Sequence, residues 1–194
     1  MMKQLLQKTA APFAQFIRDT RASATVEAVL ILPLLMAWFV GGFVFFDGFK
    51  NRNTALKATY TIGDILSRRT NGATEQYINN LQDLYDSLAY TSGTSALRVT
   101  SLTWNGKKHR VLWSHSTKGT LSVQTNDTVR GSAFRNRIPL MAIGERVILV
   151  ESFTDYNPAF NIGWGHRVFE NFVVTSPRFA SCLSWDNGVD VPSC

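Results

Sequence analysis

Three groups of residues in this sequence have the chemistry to form a functional site. Glu27 precedes the uncharged, mostly apolar run 28–46, where a carboxylate is costly to keep without a dedicated partner. Cys182 and Cys194 are the only cysteines of the chain and could form a disulfide. The imidazoles, which could bind a metal or transfer protons, belong to His109, His115 and His166.

The histidines lack the spacing of a metal site. They lie in separate segments, without i, i+4 spacing or neighbouring carboxylates, whereas zinc sites have characteristic ligand spacings. The chain also contains no G-x-S-x-G motif, P-loop or Rossmann fingerprint. Glu151 and Asp155 alternate with apolar residues on a predicted strand, which is typical of a half-exposed sheet face. We therefore expect no enzyme activity, no cofactor and no metal.

The two cysteines bear on the compartment of the C-terminal part. Cys182 and Cys194 lie in a Ser-, Gly- and Pro-bearing segment that could not pack alone. A bond between them would close a short loop, which is worth on the order of 3 kcal/mol in the chain-entropy model. It would require an oxidising compartment, and so predicts a periplasmic or extracellular domain. The alternative is a pair of unpaired thiols.

The run after Glu27 predicts a transmembrane helix. Its nineteen residues, 28–46, would span roughly 28 Å as a helix, about the thickness of a bilayer's hydrocarbon core. Pro33 is tolerated in such a helix because neighbouring groups satisfy the freed carbonyl. We therefore divide the chain into a cytoplasmic leader (1–22), a transmembrane helix (23–47) and a periplasmic domain (48–194). A secretory signal peptide is the competing interpretation, but the apolar run is too long and lacks a small-x-small cleavage site.

Two helices are predicted to precede the strands of the domain. The first runs from about Ser23 to Arg68 as one spine, since apolar and small residues recur at spacings of four and three beyond the apolar run; these are Ala55, Thr59, Ile62 and Leu66. Asn71-Gly72 ends it as a turn. The second helix, from about Thr74 to Leu88, has an apolar stripe that is typical of a core face, formed by Tyr77, Leu81, Leu84 and Leu88.

Strand patterns dominate the remainder. The segments LRVTSLTW and HRVLWSHS flank Asn105-Gly106, which predicts a hairpin with a type I′ turn. ERVILVESFTDY and RVFENFVVTS predict two more strands, joined by the loop 157–166. Residues 116–144 have no clear pattern apart from a loop at Ile138-Pro139. The predicted fold is α+β, with a helical spine on an antiparallel sheet of about four strands.

The charge balance gives no indication of a nucleic-acid partner. The net charge is +6, of which the leader holds +3, since its one acid, Asp19, offsets four basic residues: Lys3, Lys8, Arg18 and Arg21. The other +3 is spread along the chain, whereas nucleic-acid binding favours a clustered basic stripe. Basic residues also follow the apolar run closely, so the positive-inside bias is weak and the orientation rests on the cysteines.

The residues around the apolar run resemble a known family. The segment SATVEAVLILPLLM is similar to the processing region of TadE/TadG-like minor pilins (pseudopilins) of the tight-adherence (Tad) pilus, which typically reads AAVEFALVLPLLL. The segments ILVESFTDYNPAF and VFENFVVTSPRF are looser matches to the same family. The resemblance covers the predicted anchor closely and the rest of the chain loosely.

This resemblance implies processing, partners and a location. A prepilin peptidase would cut between Ala22 and Ser23, so that Glu27 becomes the fifth residue of the product; the family more often has glycine at the position of Ala22. The product would be a non-catalytic minor pilin, needed for assembly of a Tad-type pilus that mediates adhesion and surface attachment. It would lie in the inner membrane with its N-terminus cytoplasmic, or become part of an extracellular pilus. Its partners would be the peptidase, other pilin-like subunits and the inner-membrane assembly platform.

The spacing of Ser23 and Glu27 has a physical reason. Cleavage before Ser23 would create an α-amine one helical turn from Glu27, on the same helix face, so the two charges could neutralise each other. In a filament Glu27 could instead pair with the amine of a neighbouring subunit and set the axial register. Two alternatives remain open. Glu27 could mark only the membrane interface, paired with Arg21 or water, and the chain could be an unprocessed, signal-anchored periplasmic accessory or sensor protein.

Overall fold

A computed structural model describes residues 23–91, 95–119, 121–160, 163 and 165–187. The chain divides into two compact units, with the boundary between Phe46 and Asp47. A single helix, α1 (Ser23–Ser67), begins in the first unit and ends in the second, close to the predicted bounds. It continues through Pro33.

The part of α1 that belongs to the second unit has one buried face. The predicted stripe is confirmed, because Ala55, Thr59, Ile62 and Leu66 are all fully buried. The helix ends at Ser67, and the chain bends at Asn71, within the predicted turn. At the next residue, Gly72, an added Cβ would lie only 2.8 Å from the Cβ of Asp186, so this close approach requires glycine.

The second helix, α2 (Glu75–Ala89), begins as predicted. Thr74 caps it, and the Thr74 hydroxyl accepts a hydrogen bond from the Tyr77 amide at 3.2 Å. The predicted apolar stripe is wrong in part, because Leu84 and Leu88 are more than one third exposed. The buried face lies one position away; it comprises Ile78, Leu81, Gln82, Tyr85 and Ala89.

Polar contacts explain that rotation of α2. The Tyr85 hydroxyl lies 2.6 Å from the Thr154 hydroxyl, and the Gln82 amide donates to Ser95 at 2.7 Å, so both side chains face the sheet. Asp86 beside them accepts hydrogen bonds from Ser95 and, at 3.0 Å, from Lys118. Burial raises the pKa of Asp86, but these hydrogen bonds and one from Thr91 outweigh burial and bring the pKa below its ordinary value. Hydrogen-bonding partners thus decided which face of α2 is buried, and apolar periodicity did not reveal them.

The strands form one antiparallel sheet in the order β2-β1-β3-β4. Their bounds are Ser95–Trp104 (β1), His109–Ser116 (β2), Arg146–Tyr156 (β3) and Arg167–Thr175 (β4). The register of β3 with β4 is uninterrupted over nine pairs, from Ile148↔Thr175 to Tyr156↔Arg167, whereas β2 contains an irregularity opposite Ser101/Leu102. The predicted α+β class with a four-stranded antiparallel sheet is confirmed.

The hairpin between β1 and β2 is present, but its predicted type I′ turn is wrong. That turn needs positive φ at both central residues, and of the two only Gly106 has it, at 87°. The loop instead has four residues, and the Asn105 side chain accepts from the amides of Lys107 and Lys108 at 3.0 and 2.7 Å. An Asn side chain that bonds the following backbone in this way stabilises the longer loop.

Each face of the sheet has its own core. Helix α2 and the end of α1 cover one face, with Ile62, Leu66 and Tyr85 packed on Val99 and Val150. The other face is covered by part of the segment whose sequence had no clear pattern, which forms two short helices, α3 (Asn126–Arg130) and α4 (Ser132–Arg135). Its core comprises Leu102, Val129, Ile138, Val147 and Leu149. The second unit is thus a sheet with a layer on each face.

Candidate functional site

The first part of α1 exposes its apolar side chains. From Val26 to Phe39 every large apolar side chain is exposed, from 41% at Ile31 to 82% at Trp38. A helix in the core of a soluble protein would bury most of these groups. By length and composition α1 is suited to cross a membrane. A signal sequence near an N-terminus can pass the same test of length and composition, so the position of cleavage is what distinguishes the two.

Glu27 is the only ionisable residue between Ala24 and Phe46. It lies on α1 at an exposed position, and its carboxylate has no hydrogen bond or ion pair with another described residue. Ser23 is the first residue of α1, one helical turn away, while Ala22 lies outside the described residues. The helix therefore has the predicted 23/27 spacing, and the predicted cleavage and charge pairing stay predictions.

A partly buried hydrogen bond attaches the middle of α1 to the sheet. The Tyr156 hydroxyl, at the end of β3, donates to the Asp47 carboxylate at 2.9 Å. Burial, together with the hydrogen bond and negative charge of Asp47, raises the pKa of Tyr156 to about 12. The phenol therefore stays protonated and donates throughout the physiological pH range. This contact fixes the point at which α1 joins the sheet.

Cys182 lies in a segment that packs on the sheet unit. Its neighbour Leu183 is fully buried, and the Leu183 carbonyl accepts from the Trp113 indole at 2.7 Å. Cys182 itself is buried. The other member of the predicted disulfide, Cys194, lies outside the described residues, so the bond stays a prediction.

A buried charge cluster on the sheet was not predicted from the sequence. Arg98 on β1 forms two hydrogen bonds to Glu151 on β3, at 2.7 and 2.8 Å, and the Gln124 amide donates to the same carboxylate at 3.0 Å. Glu151 is only 5% exposed, so its predicted place on a half-exposed face is wrong. Arg98 also donates to the Ser122 carbonyl at 2.8 Å. A carboxylate inside the apolar run VILVESF was the sequence signal for a buried pair.

The cluster links separate elements of the sheet unit, and its charged groups are already hydrogen-bonded to one another. Each oxygen of Glu151 has a charged or amide donor, and the guanidinium of Arg98 is satisfied by Glu151 and Ser122. It joins β1, β3 and the segment 122–124 over the second face of the sheet. A saturated pair of this kind cannot act as a nucleophile or base.

The three histidines lie apart. His109 packs on Trp104, His115 on Trp185, and His166 is 3.4 Å from Asp155. Burial and the nearby Arg135 guanidinium lower the pKa of His109, which favours the neutral imidazole. Within the described ranges, no three His, Cys, Asp or Glu side chains are grouped so that they could hold a metal ion.

The sequence matches no protein-family model, and neither curated proteins nor solved structures gave a match.

Proposed function

We propose that this chain is a non-catalytic, pilin-like structural subunit, a minor pilin or pseudopilin of a Tad-type pilus. Residues 23–47 would anchor it in the inner membrane, with the leader in the cytoplasm and the sheet unit in the periplasm. The observation that supports this most is the exposed apolar helix, which carries a single carboxylate near its start and continues as a helix packed on a sheet. The sequence resemblance around Ala22 and Glu27 supplies the family.

The exposed helix needs an apolar environment. Fully burying a large apolar side chain contributes roughly 1.5–3 kcal/mol, so the partly exposed residues from Val26 to Phe39 together represent about 10–20 kcal/mol. A lipid bilayer supplies that burial before assembly. Packing against the helices of neighbouring pilin-like subunits would supply it within a filament.

Glu27 would then be the polar recognition group of the anchor. A carboxylate at the edge of an apolar environment needs a partner, and cleavage before Ser23 would create an α-amine within reach. The amine could belong to the same subunit or to its neighbour. In the neighbour's case the pair would fix how far one subunit is displaced along the filament axis from the next.

The proposal implies partners and a redox state. Cleavage requires a prepilin peptidase, and assembly requires other pilin-like subunits and an inner-membrane assembly platform. In the periplasm Cys182 would be bonded to Cys194. Thiol labelling of the denatured, non-reduced protein should then find no free cysteine.

The N-terminal residue of the protein in membranes of its native host tests the proposal. We expect a mature chain that begins at Ser23, and a full-length chain when the prepilin peptidase gene is deleted. Ala22→Phe should block conversion because the added bulk would hinder access to the scissile bond. Ala22→Gly is the matched control and should be cut normally.

Two outcomes would reject this function. A chain retaining Met1 in a host with an active prepilin peptidase would favour the signal-anchored accessory or sensor protein. Cleavage after residue 46 would identify the apolar run as a secretory signal.

A further inference from the structure

A cavity of about 430 Å³ opens between α1 and β4, directly after the apolar run. Helix α1 contributes Gly48, Phe49 and Arg52 to its wall, and β4 contributes its first four residues, Arg167, Val168, Phe169 and Glu170. The two elements approach each other here because Tyr156, which pairs with Arg167 in the sheet, donates a hydrogen bond to Asp47 on α1. The cavity is therefore built by the same contacts that attach the helix to the sheet.

The wall of this cavity combines positive charge with apolar surface. Arg52 and Arg167 supply two guanidinium groups against the single carboxylate of Glu170. The Arg52 side chain makes no ion pair or hydrogen bond with another described residue. Phe49 and Val168, at 55% and 47% exposure, present apolar surface beside these charges. A guanidinium group binds phosphate through two parallel hydrogen bonds, and the apolar surface suits the beginning of an acyl chain.

The position of the cavity along the chain agrees with a lipid headgroup. Arg52 follows Phe46, the last residue of the apolar run, by six positions, which is about 9 Å along a helix. The polar layer on each side of a bilayer is roughly 5–8 Å thick. A long Arg side chain can also extend toward that layer while its stem stays on apolar surface. Arg52 would thus lie at the outer edge of the headgroup layer of the membrane that α1 crosses.

We propose that this cavity binds the phosphate of an anionic phospholipid, held by Arg52 and Arg167, with Phe49 and Val168 against the lipid's apolar part. The Arg52 guanidinium, which has no ion pair with another described residue, favours an anionic lipid over a zwitterionic one. The apolar wall favours a lipid over free phosphate. This inference rests on the membrane-spanning part of the proposed function and not on cleavage or pilus assembly.

The test uses the full-length chain, purified in a mild detergent and mixed with equal amounts of phosphatidylglycerol and phosphatidylcholine. Native mass spectrometry measures the ratio of the two lipids that stay bound. We expect phosphatidylglycerol to be preferred, and the preference to fall roughly 25-fold in Arg52→Gln/Arg167→Gln, because one basic side chain at an anionic surface contributes about five-fold. Arg52→Lys/Arg167→Lys keeps both charges and should retain most of the preference.

The matched control removes the same charge from the opposite end of the sheet. Lys107 and Lys108 lie in the β1–β2 loop, which follows the end of β1. Near that end, Thr103 pairs with Arg146 at the start of β3, whereas Arg167 pairs with the last residue of β3. Lys107→Gln/Lys108→Gln should leave the lipid preference unchanged.

Three results would overturn the proposal: no preference in the wild-type chain, a preference that survives Arg52→Gln/Arg167→Gln, or an equal loss in the control. Circular dichroism of each variant shows whether the fold is retained. If the double glutamine variant unfolds, the single variants Arg52→Gln and Arg167→Gln test the site, and each should lose about five-fold of the preference. Protease protection in vesicles reports separately whether the chain spans the membrane. Failure of the lipid site can thus be distinguished from failure of the anchor.

Discussion

The two parts of helix α1, before and after Asp47, differ in which of their side chains are buried. Between Val26 and Phe39 the large apolar side chains point outward all around the helix. From Ala55 to Leu66 only one face is apolar and buried, and small residues such as Ala55 and Ala58 let the helix approach its neighbours closely. The first part is shaped for an apolar surrounding, whereas the second is shaped for one protein surface. By hydrophobicity alone the first part would be predicted to form the core, yet only the second part is buried in a core.

The two parts of the molecule also differ in the partners of their carboxylates, Glu27 and Glu151. Glu151 is buried within the sheet unit and has two charged hydrogen bonds from Arg98 and one from Gln124. Glu27 is exposed in the described structure and has no side-chain partner there. A carboxylate whose partners lie within the same domain contributes to that domain's fold. A carboxylate on an apolar helix without such partners is available to another molecule.

This contrast orders the expected effects of substitutions on the free energy of unfolding of the sheet unit. Removing a partner of the buried carboxylate should have the largest effect, and a core truncation the next. A change at Glu27 should have none.

Arg98→Met tests the buried pair. The substitution would leave Glu151 buried without its charged partner and remove the donor to the Ser122 carbonyl, and breaking a buried pair in this way costs about 3–5 kcal/mol. Thermal unfolding followed by near-UV circular dichroism, with the full chain in detergent, measures the loss. The double change Arg98→Met/Glu151→Leu should recover most of it, because no unpaired charge remains.

Arg130→Met is the matched control for that experiment. The ion pair of Arg130 with Asp127 is solvent-exposed, at 43% and 94% of the two side chains, and such pairs contribute at most about 1 kcal/mol. Equal losses in Arg98→Met and Arg130→Met would show that the buried pair has no special role in stability.

A pair of leucine truncations compares the two parts of α1 directly. Leu66 is fully buried in the sheet unit, so Leu66→Ala should cost about 2–5 kcal/mol. Leu34 is 71% exposed, and Leu34→Ala should leave the unfolding of the sheet unit unchanged. Both effects appear in the same near-UV unfolding experiment. A loss at Leu34 as large as that at Leu66 would mean that the apolar segment forms part of the folded core.

Sequence patterns predicted the elements well where periodicity was long. The bounds of α1, α2 and the four strands agree with prediction because each has several turns or alternations of one pattern. The segment that covers the second face of the sheet gave no such signal. Its helices α3 and α4 have five and four residues, too few to repeat an apolar spacing.

The predictions from sequence were wrong where a specific side-chain hydrogen bond outweighed the usual preference of a residue type for a turn or a buried position. The Asn105 side chain stabilises a four-residue loop in place of the type I′ turn, and Gln82 belongs to the buried face of α2 in place of Leu84. The place of Glu151 depended on Arg98, which is 53 positions away in sequence. For the candidate site, the sequence predicted the exposed apolar helix and the spacing of Ser23 and Glu27. It could not reveal the cavity lined by Arg52 and Arg167, because these residues line one cavity only where α1 is attached to the sheet.

Glu27→Gln is expected to have the smallest effect on stability. Glutamine keeps the size and helix propensity of glutamate while removing its charge. The carboxylate has no partner in the described structure, so the unfolding of the sheet unit should not change. If the proposed pairing with a Ser23 α-amine guides docking into a filament, a strain with only this variant should still insert and cleave the protein yet fail to assemble pili.

The comparison of Glu27→Gln with Glu27→Asp sharpens this test. Aspartate keeps the charge on a shorter side chain, so partial piliation is expected if charge pairing is what matters. Electron microscopy counts the pili, surface attachment reports their function, and a blot confirms that each variant is processed. Normal pili from fully cleaved Glu27→Gln protein would remove the register role and leave Glu27 as a marker of the membrane interface. Glu27 would then neither stabilise the sheet unit, as Glu151 does, nor pair with a neighbouring subunit.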